Sequence, residues 1–467
     1  MNAPVAASTL RKPLITETLA RFASMLEPRQ VPAEVSGRAR LLMMDAIGVA
    51  LAASGYDFAH RALTALSGLG GDGDTPVIGM PARLPVRDAA LMNGVLIHGL
   101  DFDDTHIGGV AHTSACVLPT VLAVGARERA SGSEVLAAYI AGVEVAARLG
   151  AVAKGELHQV GFHPTGLIGA FAAALAGGKL MGLTDKQLVM AQGIVLSMAS
   201  GNLEFLEDGA WNKRLHPGWA AQAGITAAAL ARQGFVGATR AYEGRFGLYA
   251  SHLQERFDPG GLAAATAGLG RNWELMEVAV KPFPACHFTH ALIDAAIALR
   301  HAVAAAEIKR VAALVPGEAV KIVCEPVSKK RRPSGAYDAQ FSVPYAVAAA
   351  LIRGRFTLAE LEPDAVRDPM ILTLADHVDY AVDPQSGFPR YYSGEVVVTA
   401  RDGRSFRHRE ERNRGCGDRP LTEAEILAKF HDNAQRAVAP RRADRIIERV
   451  LSLDGADVRG LTEVLGA

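Results

Sequence analysis

The sequence predicts a mainly α fold: a large all-helical domain from N- and C-terminal segments, with a smaller α+β domain inserted between them. Three observations carry this prediction. Capping boxes and small-residue apolar runs mark helices through the first ~270 residues. Strands rich in β-branched residues and the turn Asp402-Gly403 appear only after Arg271. Helical patterning returns at Thr422. The expected division is 1–271 with 409–467 for the helical domain and 272–408 for the α+β domain.

Taken in order, Pro32 starts a helix that runs through Met43 and ends near Gly55. Pro85-Val-Arg-Asp88 opens another that reaches Leu100, and Pro119 begins a third. Ser131-Gly-Ser-Glu134 is a capping box, in which the hydroxyl and the carboxylate each satisfy a free backbone N–H. Its helix stops at Gly150. Thr165 caps a small-residue helix that ends at Gly177-Gly178, and Thr184-Asp-Lys-Gln187 is a second box. Pro217 introduces the run Gly218–Gln233. Trp273–Val280 reads as a strand leading into Lys281-Pro-Phe-Pro284, and His290–Val303 as a helix. Ala319–Cys324 and Gly394–Ala400 read as strands, the second returning near Phe406, with the helix Val343–Arg353 between them. Thr422-Glu-Ala-Glu425 is a third box and opens helices that continue through Ala439–Leu453. There is no repeat and no low-complexity segment.

Composition narrows the function classes. Apolar residues make up 49% and aromatics only 6%, which suits closely packed helices. Lys and Arg total 49, as do Asp and Glu, so no global field recruits nucleic acid or an anionic membrane. The local run Lys329-Lys-Arg-Arg332 reads as a solvated loop. Cys116, Cys286, Cys324 and Cys416 lack CxxC spacing and suit reduced thiols. Met1–Arg11 lacks an apolar signal core, and runs such as Leu167–Gly178 fall short of the ~18 residues that span a bilayer. A cytoplasmic protein is expected.

The chemistry concentrates in Asn93–Ala115. An apolar helix there ends in Asp101, Asp103, Asp104, Thr105 and His106, with His112 just beyond. Carboxylates beside imidazoles set up acid/base chemistry or a metal site. The acidic spacing lacks the alternation of a calcium loop, and Cys286-His287-Phe-Thr-His290 lacks two further zinc ligands. No metal is therefore expected, and of His287 and His290 one should be core and one exposed. Gly68-Leu-Gly-Gly-Asp-Gly73 matches a dinucleotide fingerprint only formally, because no strand precedes it. His163 stands immediately before a helix start in Gly161-Phe-His-Pro-Thr-Gly166. Asp208-Gly-Ala-Trp-Asn-Lys213-Arg214 concentrates cations, and Lys281 is wedged between a strand end and two prolines. His112 and His163 are thus the proton-transfer candidates, with Asp101 and Thr105 supporting His112. Lys213, Lys281 and Arg214 are the candidate substrate binders, while Asp103 and Asp104 read as structural. Cations opposite the carboxylates argue for a bound polycarboxylate, whose neighbouring C–H they acidify.

These segments resemble the MmgE/PrpD family, which contains 2-methylcitrate dehydratase, cis-aconitate decarboxylase and iminodisuccinate epimerase. The matching pieces are His98-Gly-Leu-Asp-Phe-Asp-Asp-Thr105, His112-Thr-Ser, Gly161–Gly166, Asp208-Gly with Lys213–Gly218, Lys281-Pro-Phe-Pro-Ala-Cys286 with His290, and Ala339-Gln-Phe-Ser-Val-Pro-Tyr345. The resemblance implies a helical domain with an inserted α+β domain, a homodimer, and a site between the domains that needs no metal or organic cofactor. It places the family's functional Asp and Thr on Asp101 and Thr105, its histidines on His112 and His163, and its lysines on Lys213 and Lys281. The spacing from Thr105 to His112 is one residue longer than the decarboxylase pattern leads one to expect, and Arg214 stands where that branch carries Pro. The expected function is dehydration of a 2-methylcitrate-like tricarboxylate by proton abstraction alpha to a carboxylate. The alternatives are an epimerase or racemase of an imino- or amino-dicarboxylate, a cis-aconitate decarboxylase, and a non-catalytic dicarboxylate- or metal-binding protein.

Overall fold

A computed structural model of the chain describes residues 13–388, 390–415 and 417–466. The expectations on Met1–Arg11 and on Cys416 fall outside them. The fold is mainly α with a small sheet. Helices α1 (Ala33–Ala53) and α2 (Val86–His98) lead into α3 (Thr113–Glu128), α4 (Gly132–Val152), α5 (Pro164–Leu180) and α6 (Asn212–Arg232). The apolar residues of α3, α4 and α5 are almost all buried. Small residues let these helices approach closely. A Cβ on Gly94 of α2 would lie 2.5 Å from Cα of Gly218 on α6, and one on Gly224 would lie 2.5 Å from Cβ of Ala173 on α5.

Helix α4 is long and apolar enough to cross a membrane, but 94% of its apolar stretch is buried inside the protein. It also carries a buried ion pair, Glu144 with Arg148, 3.0 Å apart. Glu144 accepts the Leu275 N–H, and Arg148 donates to the carbonyls of Ala267 and Asn272. This is a core helix with its charges fully partnered.

Three helix starts differ from expectation. Helix α3 begins at Thr113 and runs through Pro119, and α6 begins at Asn212 and runs through Pro217. A proline inside a helix forfeits one backbone bond, yet here both helices continue through it within the buried core. The consequence is that Lys213 and Arg214 sit on the first turn of a helix, not in a loop. Helix α5 is capped by His163, with Thr165 as its second residue. All three capping boxes form with both reciprocal bonds.

The four-stranded sheet runs in the order β2-β1-β3-β4, where β1 is Ile308–Val315, β2 is Val378–Val382, β3 is Gly394–Ala400 and β4 is Ser405–Glu410. Strand β1 pairs parallel to β2, with Val311 opposite Val378, and antiparallel to β3; β3 and β4 form the expected hairpin. Helices α7 (His290–Leu299) and α8 (Val343–Arg353) pack beside it. The expected strand at Ala319–Cys324 is instead a helical turn, Val320–Val323, following Pro316. The expected strand at Trp273–Val280 shrinks to a 3-10 turn at Glu274–Glu277 and the pair Val278–Ala279. That pair is antiparallel to Thr105–His106 and ties the acidic segment to the approach of Lys281. Helix α9 (Glu423–Ala434) returns to pack on α1. Gly68–Gly73 lies across the exposed end of the helix Asp57–Gly70.

Candidate active site

Helix α2 stops at His98, and the chain then turns sharply enough to put Asp101 at φ +50°, a left-handed conformation that costs a residue with a Cβ free energy. The turn sends three neighbouring carboxylates in three directions, all buried. Asp104 accepts from the Ser114 backbone N–H at 3.1 Å, from the Thr113 hydroxyl at 3.3 Å and from the Ser114 hydroxyl, which anchors the start of α3. Asp103 lies between two imidazoles, 2.9 Å from His98 Nδ1 and 3.3 Å from His112 Nδ1. Asp101 Oδ1 accepts from Lys213 Nζ at 2.8 Å and from Lys281 Nζ at 2.9 Å. Lys281 also donates to the Asp101 carbonyl at 2.7 Å. Asp101 Oδ2 is buried with no protein partner among the described residues.

Beneath this turn, Lys429 of α9 donates to the Phe102 carbonyl at 2.8 Å and lies 2.7 Å from Asp45 of α1. Its ammonium sits 3.7 Å from the centre of the Phe102 ring. Gln340 bridges the carbonyls of Leu100 and Pro284, which joins the turn to the Lys281 segment.

A cavity opens above these groups. Asp101, Thr105, His112, His163, Lys213 and Lys281 all line it, with Phe288, Phe341 and Leu206 as apolar wall. It encloses about 530 Å³ of atom-free space, solvent at its mouth included. His112 caps α3 and His163 caps α5, so two helix N-termini face the cavity, and Lys213 adds the first turn of α6. Their partial positive ends and two ammoniums give this wall of the cavity a positive character. The two histidine caps are locked together: the His112 N–H donates to the Thr165 hydroxyl at 3.0 Å, and Cys116 Sγ bridges toward the carbonyls of His112 and Thr165.

Burial alone would push the Asp101 carboxyl up, but Lys213 and Lys281 overcome it and hold it far below the usual carboxylate range. Asp103 is likewise held down against burial by His98 and His112. Asp104 is pushed up to about 7 by burial and by the Asp103 charge, against its Ser114 bonds. Burial lowers His112 to about 4, although Asp103 pulls the other way. His163 is lowered well below its usual value by burial, then by His216, His98 and Lys213. His112 and His163 therefore stand as neutral imidazoles at pH 7. A bound polyanion would raise their affinity for protons.

Arg214 does not join the others. Its guanidinium stacks 4.2 Å from the Phe58 ring centre and 4.6 Å from that of Tyr337, and it does not line the cavity. The expected support of His112 by Asp101 also changes. Asp103 faces His112 Nδ1, whereas Asp101 Oδ1 is 4.0 Å from Nε2 and Thr105 Oγ1 is 3.5 Å from Nδ1. Asp103, which the sequence reading assigned to structure alone, is thus the carboxylate that faces His112 Nδ1. His98 was missed as well, although its place five residues before Asp103 was visible. Cys286, His287 and Tyr392 also line the cavity. His287 and His290 are both buried, so neither is the exposed one of a pair. His287 meets the Asn413 amide at 2.6 Å, and His290 meets the Ala285 carbonyl at 3.1 Å.

His98, Asp101, Asp103 and His112 bring ligand atoms within 4.8 Å of one another, as do His98, His112 and His163. These donor types suit a divalent metal. In this structure the Asp101 oxygen is taken by two ammoniums, and the Nδ1 atoms of His98 and His112 by Asp103. Asp101 Oδ2 and His98 Nε2 have no hydrogen-bond partner among the described residues.

Comparison with known proteins places this geometry. Residues 17–259 match the MmgE/PrpD N-terminal domain and residues 283–454 the MmgE/PrpD C-terminal domain. A cis-aconitate decarboxylase-like protein of Aspergillus oryzae is 27% identical over 97% of each chain. The cis-aconitate decarboxylase of Homo sapiens is 29% identical over 97% of this chain and 94% of its own. That of Aspergillus terreus is 27% identical over 97% of this chain and 96% of its own.

Proposed function

The chain belongs to the MmgE/PrpD family, and from that footing we propose that it is a lyase releasing CO₂ from a cis-aconitate-like unsaturated tricarboxylate. Lyase-type chemistry is what the family carries. The observation that carries the finer reading is the cavity's pairing of two ammoniums with two buried imidazoles, together with relatives named as decarboxylases along nearly the whole chain. Dehydration of a 2-methylcitrate-like acid, the first expectation from the sequence, uses the same residues but has no such relative among these three.

Chemistry divides the work among the side chains. In cis-aconitate one carboxylate sits on a CH₂ next to the C=C. When it leaves as CO₂, the electrons of the broken C–C bond form a new C=C with the CH₂ carbon. The old double bond moves its electrons to the carbon beside another carboxylate. Lys213 and Lys281 hold the charge that collects there. His112 or His163 then delivers a proton to that carbon. The trianion plus one proton becomes the itaconate dianion plus CO₂, so each turnover consumes a proton.

Proton NMR in D₂O with cis-aconitate, 2-methylcitrate, citrate and aspartate-like acids tests the reading. The expected result is CO₂ release from cis-aconitate with one deuterium fixed in the product. Water loss from 2-methylcitrate alone would replace it with dehydration, and α-exchange without net loss with epimerisation. No change in any acid would favour a non-catalytic binder. We further propose a homodimer working in the cytoplasm. The exposed Trp211, just before α6, and the exposed Leu215 and Trp219 on it, spaced four apart, support the dimer. Light scattering at the mass of one chain would overturn it.

A further inference from the structure

His163 lines the cavity and is only 3% exposed, so a proton it gives up must be replaced through the protein or the cavity itself. Its Nδ1 lies 3.0 Å from Nδ1 of His216, one helical turn beyond Lys213 on α6. His216 is half-buried and does not line the cavity. Its niche is shaped for a ring. A Cβ on Gly201 would come within 3.2 Å of the imidazole, at a glycine with φ +142° whose carbonyl accepts the His163 N–H at 3.0 Å. A Cβ on Gly166 would lie 3.3 Å from Cβ of His216. Around the pair stand His98, stacked on His163 at 5.5 Å, His112 at 6.1 Å, and Phe205 at 6.1 Å from His216.

Two Nδ1 atoms facing each other at hydrogen-bond distance share one proton: one carries it and the other accepts it. A neutral imidazole is a very weak acid, and giving up its only proton would leave an imidazolate. An imidazolium is a good acid, but burial and the neighbouring Lys213 disfavour it at both rings. Donation becomes feasible when a proton enters one nitrogen as another leaves the opposite one.

We propose that His216 is a positioning residue that relays a solvent proton to His163 through their shared Nδ1···Nδ1 hydrogen bond. The relay rests on the decarboxylase reading, in which each turnover consumes one proton. In the resting pair His216 carries its proton on Nδ1 and His163 carries its own on Nε2. A solvent proton joins His216 Nε2, the Nδ1 proton crosses to His163 Nδ1, and His163 Nε2–H passes to the substrate carbon. Both rings end neutral with their tautomers exchanged. After product leaves, water in the open cavity reprotonates His163 Nε2, the inner proton crosses back, and His216 returns its Nε2 proton to solvent.

The test compares wild type, His216→Gln and His216→Ala with cis-aconitate at fixed pH and ionic strength. Thermal melts confirm that each variant is folded. The relay predicts a loss in kcat of roughly tenfold or more in both variants with KM little changed, as for loss of a proton-transfer group. Added imidazole should restore kcat of His216→Ala in proportion to its concentration and leave wild type unchanged. A variant with wild-type kcat, or a loss that imidazole does not restore, overturns the relay. Wild type inert toward cis-aconitate overturns the decarboxylase reading instead, and the relay is then decided without substrate. Nitrogen-15 NMR of histidine-labelled enzyme should show a coupling between two Nδ1 atoms that disappears in His216→Gln; its absence in wild type overturns the relay.

Discussion

Asp101 is buried, strained and shared by two lysines, and each property has a consequence. Taking a carboxylate out of water costs several kcal/mol, which only well-placed partners offset. Lys281 is the more deeply buried of the two, 1% exposed against 8% for Lys213. Removing it leaves the Asp101 carbonyl and carboxylate under-partnered. Lys281→Met should therefore destabilise the protein by about 3–5 kcal/mol, as breaking a buried pair does, readable as a large drop in Tm. Lys213→Met leaves Lys281 on Asp101, so the drop in Tm should be smaller. It should raise KM at least about tenfold, a loss of roughly 1.4 kcal/mol of substrate binding. Equal Tm values for the two variants would contradict this division. Asp103 faces His112 Nδ1, where a carboxylate favours the tautomer with its proton on that nitrogen. Asp103→Asn presents that nitrogen with an amide, and kcat should fall by as much as about 10⁴-fold, the scale known for a catalytic imidazole in the wrong tautomer. Unchanged kcat would return Asp103 to a structural role. At this scale the residue types were legible and the pairings were not. Three carboxylates within four positions announce chemistry, but only the left-handed turn at Asp101 decides which faces lysine, which histidine and which a helix start.

Helices deliver the site by their ends. His112 and His163 cap two helices whose N-termini converge, and Lys213 rides the first turn of a third. The capping boxes at Ser131, Thr184 and Thr422 were readable because a cap is a local bond between residues three apart. Pro119 and Pro217 misled because a proline usually starts a helix or breaks one, and burial on neighbouring helices keeps both of these continuous. The β-branched run at Val320–Val323 misled in the opposite sense, since it finds no strand to pair with and closes as a helical turn. True strand β1 was missed because two exposed residues, Lys309 and Arg310, interrupt its alternation at a register shift in its pairing with β3. The α2–α6 crossing carries the sharpest prediction at this scale. Gly94→Ala puts a methyl group 2.5 Å from the Gly218 backbone, where no flexible side chain can give way. It should cost about 1–3 kcal/mol as an overpacked core does, and displacing α6 moves Lys213, so kcat/KM should fall together with Tm. A Tm equal to wild type would show that the helices part freely.

For the whole molecule, the buried imidazoles make stability depend on acid. His112, His158 and His216 are lowered from 6.5 to about 4, and His290 to about 3, chiefly by burial; His163 and His287 are also lowered well below 6.5. Between about pH 6.5 and 4 the unfolded chain binds protons at these rings that the fold refuses, so stability rises with pH across that window. Asp104, raised to about 7, works in the opposite sense, as do the raised Asp45, Glu144 and Asp294. The imidazoles are more numerous, and Tm should fall steadily from pH 7 to pH 4.5. A flat or rising Tm in calorimetry would show that the carboxylates dominate. By itself the sequence determined the helical class, most helix starts, the hairpin at Asp402-Gly403 and the set of acids, bases and cations from which a site is built. These are written in spacings of a few residues, where backbone bonds and helical period act. Tertiary structure alone decided that Lys213 and Lys281, 112 and 180 residues from Asp101, close on one oxygen. It also decided that Arg214 stacks on aromatic rings instead, and that His216 meets His163. Those outcomes depend on how the ends of separate helices meet, and no local rule of chain geometry contains that information.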